Sequence, residues 1–271
     1  MIRVELVKML RRPRTWTVIA LLNALPTLVA VLLAVTEIGP RPGEGPAFLS
    51  AVLTDGTLFP LAALAIVLPL FMPVAVAVVA GDAVAGEAQA GTLRYVLTRP
   101  VRRTHLLVAK LVSVLAFVLL SVLVVAVVGY VVGRSLLGTE DARTLVTSIS
   151  GSSLNDRQLV GRTLMSVVYV SLSMLGVAAM ALMLSTFTDS PLGAALGALV
   201  FLIASTLLLT LDAAAVLQPY LPTRYWLSFV DFFRDPILWR DLARGVLLQC
   251  VYVVVLLGVA WANFSTKDIT S

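Results

Sequence analysis

The sequence predicts an all-α integral membrane protein of six transmembrane helices, on its composition, the spacing of its apolar segments and the placement of its charges. Of 271 residues, 59% are apolar and 13% charged, with a mean hydropathy of +1.00. Soluble domains carry roughly 45–50% apolar and about 25% charged residues, and a soluble fold of this length has too much surface to hide so much apolar matter. Six segments reach the roughly 20 apolar residues that a helix needs to cross about 30 Å of hydrocarbon: residues 15–36, 57–80, 105–133, 162–187, 191–211 and 244–264. Charges keep to their ends. A central charge costs about 2.5–3.5 kcal/mol, and each Leu or Val returns roughly 0.3–0.6. The apolar segments continue to the last residues, so 1–271 reads as a single transmembrane domain.

Residues 1–13 read as an amphipathic helix. Ile2, Leu6, Met9 and Leu10 share one face, Glu5, Lys8 and Arg12 the opposite one, and Pro13 ends it. A short basic helix of this kind lies in the membrane interface, as an anchor or as a brace against a cytoplasmic partner. The apolar run from Thr15 to Val35 is longer than a signal-peptide core and lacks a small-x-small cleavage site, so it reads as a retained first span. Pro60, Pro69 and Pro73 invite kinks in the second span. Lys110 sits about one and a half turns inside the third, near enough to snorkel to the interface. The pairs Gly129/Gly133 and Gly193/Gly197 allow close helix packing. Between spans three and four, 134–161 is polar, with Ser148, Ser150, Gly151, Ser152 and Ser153 at its centre, and reads as a flexible loop. Asp212 ends the fifth span. Before the sixth, Tyr220, Tyr225, Trp226, Phe229, Phe232, Phe233 and Trp239 gather in a segment that suits interface anchoring by short, partly re-entrant helices. Arg234, Asp235, Arg240 and Asp241 are placed to pair locally. Cys250, the single cysteine, excludes an intramolecular disulfide and reads as a buried thiol.

Orientation follows from Lys and Arg. The side shared with the N-terminus holds 11 of the 20 and the other side nine, but the flanks of the first span carry five against one. The first span usually sets orientation, which places both termini in the cytoplasm. The net charge of +5 suits an anionic cytoplasmic leaflet. No clustered basic face points to nucleic acid.

Several chemistries lack their residues. The chain has no G-x-x-x-x-G-K-[ST] run to cradle ATP phosphates, no H-E-x-x-H and no G-x-S-x-G. One histidine, His105, and one cysteine cannot build the usual zinc site. Acidic residues are absent from the middle of every span, which removes the usual proton relay of an ion-coupled carrier. Sodium sites made of carbonyls and hydroxyls stay open. These absences argue against catalysis and metal binding in this chain.

The link at 82–103 is the informative segment. Leu93, Val96 and Leu97 fall at i, i+3 and i+4, with Arg94, Tyr95 and Thr98 turned away, and Arg99 before Pro100 stops the helix. A short helix with an apolar ridge and exposed charges suits docking into a partner's groove. A juxtamembrane basic loop that sets topology alone has the same residues.

The run Gly86-Glu87, Gly91-Thr92-Leu93, Leu97, Arg99-Pro100-Val101, Arg103 and Lys110 resembles the signature of type-2 ABC exporter permeases, in order and in spacing. The resemblance extends to the layout of interfacial helix, six spans, cytoplasmic link after span two and long outer segment before span six. It implies a permease paired with a second copy or a homologous permease in a bacterial-type plasma (inner) membrane. It implies two P-loop ATPase subunits holding the ATP and Mg, with no cofactor in this chain. It makes 82–103 the coupling helix, with Gly86, Glu87, Gly91, Thr92, Leu93, Arg94, Leu97, Arg99, Pro100 and Arg103 coupling to the ATPase. It also makes the segment with Tyr225, Trp226, Phe229 and Phe232 an outer gate. Apolar walls fit export of a hydrophobic or amphipathic small molecule, such as a drug, antibiotic or lipid, by alternating access. The few aromatics inside the spans weaken a carbohydrate assignment; a peptide, polysaccharide or ion remains an alternative cargo. Asn23, Tyr169, Ser171 and Ser173 are the polar candidates for the path, or for bonds between helices. The rivals are a membrane-embedded enzyme, for which no paired catalytic groups are evident, and a non-transporting assembly subunit.

Overall fold

The computed structural model describes residues 1–36, 56–91, 103–137, 146–147 and 153–266. Among them run α1 (Ile2–Arg11), α2 (Pro13–Thr36), α3 (Phe59–Val67), α4 (Phe71–Gln89), α5 (Arg103–Leu136), α6 (Asp156–Phe187), α7 (Pro191–Leu209) and α8 (Trp239–Thr266). Six of these helices are long and apolar enough to cross a membrane, so the chain is a multi-pass, helical membrane protein. An antiparallel ladder of two residues a side, Val146–Thr147 with Ser153–Leu154, interrupts the otherwise helical fold. Ser148, Ser150, Gly151 and Ser152 of the expected loop lie outside the described residues.

The helix α6 is the axis of the bundle. In its apolar stretch 72% of residues are buried, against 22% for α2 and for α8. Ala178, Ala179 and Ala181 on α6 are fully buried, and such small side chains let neighbouring backbones approach closely. The outer helices turn Leu, Val and Ile outward along their length. That surface would be costly in water and suits a hydrocarbon surround.

The second span differs from the expected continuous run over 57–80. A 3-10 turn at Gly56–Leu58 leads into α3, the ladder breaks over 68–70, and α4 then continues to Gln89. Pro69 has no N–H for the carbonyl of Ala65, and Pro73 none for that of Pro69, so two bonds are lost close together. Beyond Ala80 the helix persists because its small residues are packed. Gly81 lies against α7, where a Cβ would come within 3.1 Å of the Pro191 carbonyl and the Ala195 nitrogen.

The two glycine pairs behave differently. Gly129 and Gly133 bring α5 onto α3: a Cβ on Gly129 would stand 3.1 Å from Pro60 and Ala63, and one on Gly133 would overlap Gly56 and Phe59. Gly193 faces its own helix cap at Ser190, and Gly197 a side chain of α6, Leu184. Cys250, expected to be buried, is exposed on the outer face of α8. An apolar run wholly inside a bilayer has a lipid-facing side as well as a core side, and periodicity alone does not say which residue takes which.

Candidate functional site

α1, the end of α4 and the start of α5 meet at one end of the bundle around a cluster of charges. Lys8 Nζ stands 2.6 Å from Glu87 Oε1, and Lys110 Nζ 2.8 Å from the same oxygen. Glu5 closes the group at 3.8 Å from Lys110 and 3.9 Å from Lys8. Lys110 is 2% exposed; it does not snorkel, because a carboxylate lies within its reach on α4. Two ammonium groups and two carboxylates balance. That balance makes burial tolerable, since an isolated charge in such a place carries a desolvation cost of several kcal/mol.

α1 packs Leu6 and Met9 of its apolar face against the main core, and the cluster draws Glu5 and Lys8 in beside them. Glu5 and Lys8, expected on the face opposite Leu6 and Met9, are both partly buried, while Ile2, Val4 (67% exposed), Val7 and Leu10 face outward. The chain is then stapled back on itself. Thr15 Oγ1 donates to the Met9 carbonyl at 2.7 Å and Trp16 Nε1 to the Leu10 carbonyl at 2.8 Å, supplying donors to the last turn of α1. Ser113 of α5 donates to the Glu5 carbonyl at 3.3 Å.

A second, more exposed group lies alongside. Arg12 and Arg14 approach Asp82 Oδ2 at 3.2 and 3.3 Å. Asp82 is one turn before Gly86 on α4, and a Cβ at Gly86 would overlap the Asp82 carboxylate. The first glycine of the signature run therefore makes room for an anion. Gly86 and Glu87, expected in a link, sit within the last turns of α4. Gly91 then leaves the helix with φ +68°, a left-handed conformation that glycine adopts without penalty. Thr92, Leu93, Arg94, Leu97, Arg99 and Pro100 lie outside the described residues; Arg103 opens α5.

Ser185 of α6 inserts its hydroxyl into the α4 ladder just before the cluster. It donates to the Gly81 carbonyl at 2.7 Å and accepts from the backbone N–H of Ala85 at 2.8 Å and of Val84 at 3.1 Å. The Gly81–Ala85 step of α4 thus runs through α6, an insertion of the kind that bends helices.

At the opposite end the segment between α7 and α8 folds as 3-10 turns, Asp212–Ala214, Gln218–Tyr220 and Trp226–Phe233. Trp226, Phe229, Phe232 and Phe233 are buried in the main core, and Tyr225 is half-buried. The interface-anchoring expectation for this segment gives way to packing for those four rings, while Tyr220 and Trp239 remain exposed. Tyr169 meets Phe232 edge to face at 6.1 Å and donates its hydroxyl to the Tyr225 carbonyl at 2.7 Å. Arg234 pairs with Asp231 at 2.9 Å, Arg162 lies 3.9 Å from Asp235, and Arg244 lies 3.9 Å from Asp241. Burial pushes the Asp231 carboxyl above its ordinary range despite the opposing pull of Arg234.

The polar candidates for a path lie on two helices, Asn23 on α2 and Tyr169, Ser171 and Ser173 on α6. Asn23, Ser171 and Ser173 bond to carbonyls one turn back in their own helices, those of Ile19, Val167 and Tyr169. Sequence reasoning missed the inward roles of Glu5 and Lys8, and did not single out Asp82 or Ser185. A signal for Glu5, Lys8 and Asp82 existed: acidic and basic residues gathered at the same ends of the spans. Ser185 had none, since a hydroxyl in an apolar helix usually bonds to its own backbone. Among the described residues no group of His, Cys, Asp or Glu side chains is placed to hold a metal ion.

Residues 46–270 match the family described as "Protein of unknown function (DUF2705)". The chain belongs to this DUF2705 family. It is 27% identical over 207 residues to YhcI of Bacillus subtilis (strain 168), an uncharacterized protein, and the alignment covers 72% of this chain and 63% of YhcI. The chain thus spans less than two thirds of that relative's length, while the family match takes in α3 to α8 together with the cluster's Asp82, Glu87 and Lys110.

Proposed function

We propose that this chain is the permease subunit of an ATP-driven exporter of the type-2 ABC class. Its cargo would be a hydrophobic or amphipathic small molecule, and its power a separate P-loop ATPase. The observation that carries the reading is the Lys8–Glu87–Lys110 cluster, which joins the interfacial helix to both helices flanking the 92–102 link. Two of its members, Glu87 and Lys110, belong to the signature run.

In this reading the α1 end faces the cytoplasm, and ATP binding on the partner pushes the link. Ion pairs of 2.6–2.8 Å between α1, α4 and α5 make the three ends move as one body rather than bend separately. Ser185 passes the displacement from α4 to the central α6. Two such permeases facing each other would then alternate between inward and outward access, with the aromatic segment before α8 as outer gate.

The decisive test is affinity purification of the tagged chain from native membranes in mild detergent, with mass spectrometry of stoichiometric partners. The reading expects a P-loop ATPase at about one copy per permease, and loss of transport with retained insertion in Glu87→Ala. Recovery of the chain alone, with Arg99→Glu leaving its function unchanged, would remove the coupling assignment.

A further inference from the structure

The helix α1 uses two of its sides inside the protein. Glu5 and Lys8 go to the ion cluster, Arg12 to Asp82, and Leu6 and Met9 to the core. A third side faces outward and consists of Arg3, Val4, Val7, Leu10 and Arg11, all exposed. At 3.6 residues per turn these five fall within an arc of about 120°, so they make one surface.

That surface carries two kinds of side chain. Its aliphatic residues are 40–67% exposed, an area that water disfavours. Its charges are all cationic. The one acid of α1, Glu5, points to Lys110 and Lys8 on the inner side, and among the described residues no carboxylate pairs with Arg3 or Arg11. Just beyond the helix, Arg12 and Arg14 share a single oxygen of Asp82, so the turn into α2 keeps a net positive charge as well.

Continuity with the first span says what covers this side. Only Arg12 separates α1 from α2, and Trp16, 50% exposed, is tied by its indole N–H to the Leu10 carbonyl. Trp16 begins the exposed apolar side of α2 that runs on through Leu21, Leu28 and Leu32. Tryptophan favours the headgroup level of a bilayer, which puts the outer side of α1 where headgroups meet acyl chains. Aliphatic groups suit the acyl boundary there, and a guanidinium matches a phosphate with paired hydrogen bonds. Two arginines without an acid favour a headgroup of net negative charge, because a zwitterionic one brings its own cation to the same place. We propose that the Arg3–Arg11 side of α1 is a docking surface for anionic phospholipid headgroups, with Val4, Val7 and Leu10 seated at the acyl boundary. An anchor alone accepts any lipid; this surface selects headgroup charge, on the side of α1 away from the Lys8–Glu87–Lys110 cluster. Docking needs no ATPase and no cargo, so its failure and the failure of the exporter reading are separate events.

The test uses the full chain in phosphatidylcholine vesicles that carry a trace of lipid with a diazirine on its headgroup, crosslinked by light and mapped by mass spectrometry. One probe is a phosphatidylglycerol and the other a phosphatidylcholine. A basic residue beside an anionic surface contributes about fivefold, so the anionic probe should label residues 1–16 roughly twenty- to thirtyfold more than the zwitterionic one. Added salt should lower that ratio. The double variant Arg3→Gln, Arg11→Gln should bring it down to a few-fold, whereas Arg3→Lys with Arg11→Lys should keep most of it. Equal labelling by the two probes, or a ratio unchanged in the glutamine variant, would overturn the surface. So would a segment 1–16 that neither lipid labels, which would leave this side of α1 to water or to a soluble partner. Should the glutamine variant fail to insert, the ratio and its salt dependence in the unaltered chain decide.

Discussion

At the α1 end, Glu5, Lys8, Arg12, Arg14, Asp82, Glu87 and Lys110 meet in ion pairs of 2.6–3.9 Å. At the opposite end, buried aromatic rings and neutral side-chain-to-carbonyl bonds from Tyr169, Gln249 and Tyr252 hold most of the segment before α8, with the Arg234–Asp231 and Arg162–Asp235 pairs at its edge. The contrast teaches where each kind of contact is affordable in a membrane protein. Charges are kept near water and in balanced groups, where a displaced ion can be re-solvated. Packing and neutral hydrogen bonds close the end where α6 and α8 need a lid, and they are indifferent to salt. A charged junction can be re-paired by a partner; a packed lid has to be displaced as a body.

The comparison is tested most severely at Phe229, which is fully buried in the lid. Phe229→Ala should cost about 3–5 kcal/mol, read as a fall in melting temperature in detergent that is the same at low and high salt. Next comes Lys110→Met, expected to cost about 3 kcal/mol because Glu87 keeps Lys8 while losing its buried partner. The double variant Lys110→Met, Glu87→Gln should be more stable than Lys110→Met alone; if it is worse, the two side chains are not coupled and the cluster is misread. Tyr169→Phe removes one 2.7 Å bond to the Tyr225 carbonyl while keeping the ring contact with Phe232. It should cost about 1 kcal/mol, with protease protection of the lid falling more than global stability. The smallest effect belongs to Arg14→Ala. Its side chain is 75% exposed, and surface pairs contribute about 0–1 kcal/mol, so the melting temperature should barely move and any change should vanish in high salt.

Much of the fold was legible because lipid imposes simple demands. Residues 105–133, 162–187 and 244–264 were recognisable as spans from length and hydropathy, and the structure extends each by several residues, as α5, α6 and α8. The second span was harder. Pro69 and Pro73 gave notice of the break over 68–70, but the survival of helix to Gln89 depended on Gly81 and on Ser185, which meet α7 and α4. In the candidate site, Glu87 and Lys110 were visible in the signature run. Their joint bond with Lys8 was not, because 79 residues separate Lys8 from Glu87 and local periodicity shows only that Lys8 lies on the polar face of α1. The aromatic segment was legible as special and misread in kind, since Trp and Tyr suit an interface and a core almost equally.

By itself the sequence determined that this protein belongs in a membrane, that six of its segments are apolar enough to cross one, and which stretches carry charge. Those properties are sums over local composition, and a solvent of hydrocarbon reads them one segment at a time. Tertiary structure decided which face of α1 is inside, that Lys110 is buried rather than snorkelled, and that the Tyr225 carbonyl receives Tyr169. Each depends on a partner supplied by another helix, and an ion pair or hydrogen bond of under 3 Å outweighs the modest preference that a single helix has for one side over the other.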